Sequence, residues 1–313
     1  MSDDATPPFA AAESPLVHRA WSFVGRVPFI RKGLHELLDT HGLAWRVTAE
    51  EHLEQLNLWL GDDDALDQSF EHFVRLTFDT LKMQNVFFRT GKISPYTAEE
   101  RAEKVHENEE LMGGPYLQGL YLAHILWPNH WKKLQFFQEH FVPVLPEHGR
   151  MLDVGSGPGT YTVLCRKARP AMSLLSIDIS PLSGRMVRGL EAAALGAGTT
   201  GMECVVGDFT LRVQTEAPYD CGIFSEIVEH LPTPDEGMRR LHQGIKAGGP
   251  IFFSTATNAA FYDHYVIYES IHAIEQMLRG HGFTIRSSGT AKIFDGPDGK
   301  DVVDYYAVIT PDS

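Results

Sequence analysis

The 313-residue chain is poor in cysteine, in basic residues and in long apolar runs. Its three cysteines, Cys165, Cys204 and Cys221, are widely spaced, and each sits in or beside an apolar run. That pattern argues for reduced, buried thiols over a disulfide frame or a zinc site. Lysine and arginine number 27 against 41 aspartates and glutamates, a net charge of −14. No basic stripe offsets the deficit, so a nucleic-acid partner is not expected. No apolar stretch reaches membrane-spanning length, so no membrane partner is expected either. The first residues are acidic and rich in Pro and Ala, without a basic start or an apolar stretch behind it. They predict a disordered lead-in over residues 1–14 in place of a secretory leader, and a cytoplasmic protein. Among 15 histidines there is no HxH or HExxH spacing, so no metal is expected. If one were bound, Asp263 and His264 would hold it, with His124, His130 or His230.

What is present falls into two halves. Residues 15–145 read as helices, with apolar residues recurring at three and four. Ile30, Leu34, Leu37 and Leu38 form one stripe. Thr48 with Glu51 has the spacing of a capping box that opens a further helix through Leu53, Leu56 and Leu60. Phe70, Phe73, Val74, Phe78 and Leu81 mark a longer helix with Gly91 at its end, and Thr97 with Glu100 is a second capping box. Residues 116–141 are strongly aromatic, and Pro128 divides them into two helices. This half is the expected helical cap.

From residue 146 the pattern turns to short apolar strands between helical segments. Strands are expected at 151–154, 174–177, 204–206, 221–224, 251–254, 284–287 and 302–309. Such alternation predicts an α/β fold, a Rossmann-like seven-stranded and mostly parallel sheet. Gly296, Pro297 and Gly299 leave a loop where the last crossover helix would be, so the final strand is expected to be antiparallel.

The sharpest signal is the run Asp153-Val154-Gly155-Ser156-Gly157-Pro158-Gly159 at the end of the first strand. Alternating glycines allow a tight turn and let a ligand approach the main-chain N–H groups. The spacing is G-x-G-x-G, whereas the dinucleotide fingerprint is G-x-G-x-x-G. Strand two ends in Asp178-Ile179, strand three leads into Asp208-Phe209, and strand four ends in Ser225-Glu226, followed by Glu229-His230. Ligands of open α/β sheets gather at that edge.

This order of residues resembles the class I S-adenosylmethionine-dependent methyltransferases of the small-molecule type, over residues 151–309. The resemblance implies S-adenosylmethionine as cosubstrate. It implies a site of Asp153, Gly155, Ser156, Gly157 and Gly159, with Asp178 and Ile179 at the ribose, Asp208 and Phe209 at the adenine, and Ser225 nearby. Residues 226–230 are similar to the E-x-x-E-H segment of such enzymes.

On the acceptor side the protein must align an acceptor with the methyl group and, where needed, take a proton. Glu226 and His230, four apart, would share one face of a helical turn. Asn258 and His264, in the polar and aromatic loop after strand five, are expected to face the substrate. Tyr116 is the first choice, ahead of Tyr121, for an aromatic lid over the sulfonium. The expected partner is a small metabolite, and the helical half is the expected surface of a homodimer. Residues 258–265 and 267–283 are also similar to azetidine-forming enzymes of nonribosomal-peptide pathways. That likeness implies an alternative chemistry, in which the cofactor's own amine closes a small cyclic amino acid and releases methylthioadenosine. A non-catalytic cofactor-binding scaffold is a third reading.

Overall fold

The computed structural model describes residues 6–212 and 217–313. Of the expected lead-in, residues 1–5 lie outside the described residues; Phe9 packs edge-on against Trp21. The helical half runs through α1 (Pro15–Val24), α2 (Pro28–Leu60), α3 (Asp63–Thr90), α4 (Ala98–Arg101), α5 (Glu109–Leu111), α6 (Leu117–Leu126) and α7 (Pro128–Phe136). Gly91 closes α3 with φ 71° and an N–H bond to Phe87 O, as its position implied. Thr97 and Glu100 bond reciprocally, each side chain to the other's N–H, so the second capping box is real.

The first is not. Thr48 lies inside α2, and its carbonyl is bonded by His52 Nδ1. The break falls instead at Gly42 (φ 51°, ψ −123°), a conformation an L side chain resists. Beyond it the buried face resumes at once with Trp45, Ala49, Leu53 and Leu56, so no cap is needed. Phe78, part of the apolar pattern that marked α3, does not join the core. It is half exposed and meets Phe29 edge-on at 5.7 Å.

The second half alternates as expected: β1 (Arg150–Val154), α8 (Thr160–Ala168), β2 (Ser173–Asp178), α9 (Pro181–Leu195), β3 (Met202–Val206), α10 (Phe209–Arg212), β4 (Cys221–Ser225), α11 (Pro234–Gly244), β5 (Ile251–Thr257), α12 (Ile271–Gly280), β6 (Phe283–Phe294) and β7 (Val302–Pro311). The seven strands are ordered β3-β2-β1-β4-β5-β7-β6. The first five strands are parallel, and β7 is antiparallel to both β5 and β6. β6 is far longer than its apolar core predicted, because its outer half alternates buried and solvated positions and pairs along all of β7 with two register shifts.

The helical half lies on one sheet face, where Phe137 and Tyr161 pack against Phe252 at 4.9 and 5.0 Å and Phe136 against Tyr306 at 5.0 Å. Most of the aromatic run is therefore core. Tyr121, the second lid candidate, is part of it: the ring is buried and its hydroxyl donates to His52 O. α2 is anchored on α9, where a side chain at Gly189 would collide with the Trp59 ring. No helix among the described residues is long and apolar enough to cross a membrane.

Candidate functional site

β1 ends in a turn where Gly155, Gly157 and Gly159 have φ of 63°, 51° and 83°. A Cβ at Gly155 would meet Ile227, and one at Gly159 would meet Val187. At Gly157 nothing lies closer than 3.9 Å, so the turn is tight on the protein side and open on the other. The Gly157 N–H donates to Asp178 Oδ2 at 3.0 Å, and Ser180 N–H to Oδ1 at 2.8 Å. The carboxylate at the end of β2 thus braces the loop that it borders. Ser156 is held by Ser176 and Ser183. Asp153 is buried below them and accepts from Thr162 Oγ1; burial, with the nearby charge of Asp178, pushes its carboxyl up to about 7.

Asp153, Gly155, Ser156, Gly157 and Asp178 line a cavity of about 580 Å³ at the carboxyl edge of the sheet, while Gly159 is packed against Val187 and is not among the lining residues. Ile179, Asp208, Phe209 and Ser225 line it as well. Asp208 caps α10 through Oδ1, which accepts from Thr210 N–H and Oγ1. The facing wall comes from the helical half, with Phe29, Ile30, Leu76, Leu81 and Trp127. The cavity therefore has a polar floor and a largely apolar roof.

Glu226 and His230 do not share a helical face. Glu226 has φ 56°, and only a short 3₁₀ turn at Val228–His230 follows. The two side chains part. Glu226 Oε1 accepts from Lys133 Nζ at 2.8 Å and from Ser254 Oγ at 2.6 Å. Burial would raise its carboxyl, but the Lys133 ammonium and the two hydrogen bonds hold it well below the ordinary range.

His230 Nδ1 lies 3.3 Å from Asp263 Oδ1, and Tyr116 OH donates to Asp263 Oδ2 at 3.0 Å. Burial would lower the imidazole; the Asp263 carboxylate outweighs it and lifts His230 to about 9. His264 stands edge-on to His230 at 4.7 Å, with Nδ1 on Ala259 O. Burial and the His230 charge lower it to about 4. Tyr116, His230, Asp263 and His264 all line the cavity.

Asn258 does not. Its Nδ2 donates to Asp301 O and Glu269 O, its N–H to Tyr268 O, and its own carbonyl accepts from Gln84 Nε2. Its positive φ and its buried amide fix the loop after β5, so it is a structural asparagine.

The donor atoms of Glu229, His230 and His264 lie within 4.8 Å of one another, a grouping that could hold a divalent cation. His124 and His130, named with Asp263 and His264 on sequence grounds, pair instead with each other at 5.5 Å on the helical side.

Sequence reasoning missed Lys133, Asp304 and Gln84. The signal for Lys133 was its place on a helix whose neighbours one turn away, Asn129, Phe136 and Phe137, are all buried. Asp304 is the lone charge among Val302, Tyr306 and Val308, which alternate on one face of β7.

The methyltransferase-domain family matches residues 131–288. A malonyl-[acyl-carrier protein] O-methyltransferase of Methylococcus capsulatus is 30% identical over 152 residues, which is 44% of this chain and 53% of that one. A ubiquinone biosynthesis O-methyltransferase of Leptothrix cholodnii is 32% identical over 107 residues, 34% of this chain and 43% of that one. The chain spans about half the length of the curated relatives it matches. The crystal structure of the S-adenosylmethionine-dependent methyltransferase SibL in its apo form covers 97% of this chain and 99% of its own, with a TM-score of 0.50 and 16% identity. That likeness is one of fold.

Proposed function

Because the chain belongs to the class I S-adenosylmethionine-dependent methyltransferase family, we propose that it methylates a small biosynthetic metabolite held between the sheet edge and the helical cap. One observation carries this reading. The glycine turn, Asp178 and Asp208 lie along one wall of a cavity whose other wall is apolar and belongs to the cap. The cosubstrate's nucleoside lies along the first wall, and the acceptor meets the methyl group under the second. Tyr116 and Trp127 face the sulfonium from above. The apolar roof excludes water from the displacement.

His230 is the proton acceptor, oriented by Asp263, which Tyr116 holds in turn. In the unliganded site it carries a proton, since Asp263 raises it to about 9. A bound sulfonium, a second positive charge, drives that proton off. Asp263→Asn is accordingly expected to bring the imidazole's titration down towards the ordinary histidine value, and the rising limb of kcat/KM with it. NMR titration of the His230 ring checks this; a midpoint left near 9 in the variant refutes the pairing.

A second reading is favoured by the two carboxylates, Glu226 and Asp304, that meet the single ammonium of Lys133. Asp304, whose carboxyl burial raises above its ordinary value, would take a proton from the cosubstrate's own amine. Its nitrogen would then attack the side-chain carbon bonded to sulfur, breaking that bond and releasing methylthioadenosine. Incubation with S-adenosylmethionine alone separates the readings. Methyl transfer requires an added acceptor and yields S-adenosylhomocysteine, whereas methylthioadenosine formed without acceptor supports the second. Binding without turnover of a broad acceptor panel supports a scaffold.

A further inference from the structure

The order β3-β2-β1-β4 sets Asp208, Asp178, the glycine turn and Glu226 in a row along one sheet edge. Neighbouring strands lie ~4.8 Å apart, so an extended ligand with its base at β3 and its ribose at β2 brings its far end to β4 ~14 Å away. For S-adenosylmethionine that far end is an α-amino acid, an ammonium and a carboxylate on one carbon.

At β4 the cavity wall carries three charged side chains from three parts of the chain. Lys133 of α7 is 1% exposed, and it is the one lysine or arginine that lines the cavity among the described residues. Its Nζ lies 2.8 Å from Glu226 Oε1 and 3.5 Å from Asp304 Oδ2. Asn129 Nδ2 donates to the same Asp304 oxygen at 2.9 Å. An ammonium has three donors and no acceptor. Two point at these carboxylates, which leaves one for a ligand. Two carboxylates against one ammonium leave the cluster one negative charge in excess. Burying an unbalanced charge is costly, unless a ligand supplies the opposite one.

We propose that Lys133, Glu226 and Asp304 form a receptor for the amino-acid end of S-adenosylmethionine, with Lys133 donating to its carboxylate and Glu226 and Asp304 accepting from its ammonium. This rests on the reading of the cosubstrate given above. It turns an ion cluster that would otherwise only join cap to sheet into a device for orientation. Held at both charges, the amino-acid end cannot swing, and the sulfonium methyl is aimed at the apolar roof. The sulfonium itself answers the excess negative charge.

Two probes separate orientation from mere stability. S-Adenosylhomocysteine carries the amino-acid end, and methylthioadenosine is the same nucleoside thioether without it. Titration calorimetry of both is compared in wild type, in Asp304→Asn, and in Lys133→Met with Glu226→Gln, the last removing both partners of one ion pair together. The expected result is an S-adenosylhomocysteine affinity lowered about 10- to 100-fold in each variant, as for lost charged hydrogen bonds. Methylthioadenosine affinity should change less than about 2-fold, since it makes none of them. Equal losses for the two ligands, or no loss for either, would overturn the receptor and leave a structural ion pair. If wild type binds neither ligand, the cosubstrate reading itself fails, and the receptor with it.

Discussion

Asp178→Ala is expected to weaken S-adenosylmethionine binding by about 10²- to 10⁴-fold while the protein stays folded. The carboxylate ends β2 beside the glycine turn and faces the ligand cavity. Hydrogen bonds to a charged acceptor contribute ~1.5–3 kcal/mol each, and a ribose offers two hydroxyls. The same side chain accepts from the N–H groups of Gly157 and Ser180, so its loss also loosens the turn that must meet the ligand. Both effects act on binding. Calorimetry with S-adenosylmethionine measures them, and circular dichroism shows that the fold persists. An unchanged affinity would mean that the ligand lies elsewhere, and the functional reading would fall.

Lys133→Met alone should cost about 3–5 kcal/mol of stability, because it strands buried carboxylates without their counter-ion. Glu226 sits at 2.8 Å from the lost ammonium and Asp304 at 3.5 Å, and Asp304 is almost wholly enclosed. The combined Lys133→Met, Glu226→Gln, Asp304→Asn protein should regain most of the loss, since no charge remains to be desolvated. Urea unfolding at neutral pH gives both numbers. The sign of the pH effect follows. In the single variant both carboxyls titrate upward in the fold, and acid that neutralises them narrows the gap to wild type. A single variant as stable as wild type would show that the cluster is solvated, contrary to its burial.

The fold was legible because its signals are local. Each β-strand carried its own apolar run, and the missing helix around Gly296 and Pro297 announced the antiparallel β7. One wall of the candidate cavity was legible for the same reason: the glycine turn, Asp178 and Asp208 each stand at or just beyond the end of a strand. What escaped depends on distance. Lys133 and Asp304 stand 171 positions apart, and nothing in either neighbourhood names the other. Glu226 and His230 were misjudged by assuming a helix where the chain takes a positive φ at Glu226 and then only a short 3₁₀ turn. Asn258 looked like a substrate contact because polar loop residues often are. Its amide instead answers carbonyls of the chain near residues 269 and 301, which only the folded molecule brings close.

β7 brings Asp304 to the cavity from near the far end of the sequence, while α2 supplies Phe29 and Ile30 from its beginning. A ribosome releases these contributions in order. Until Asp304 is made the nascent protein holds Lys133, and later Glu226, without their third member, and pairings of such separation form slowly. On the proposed receptor, the grip on the amino-acid end of S-adenosylmethionine is therefore completed only when β7 has paired.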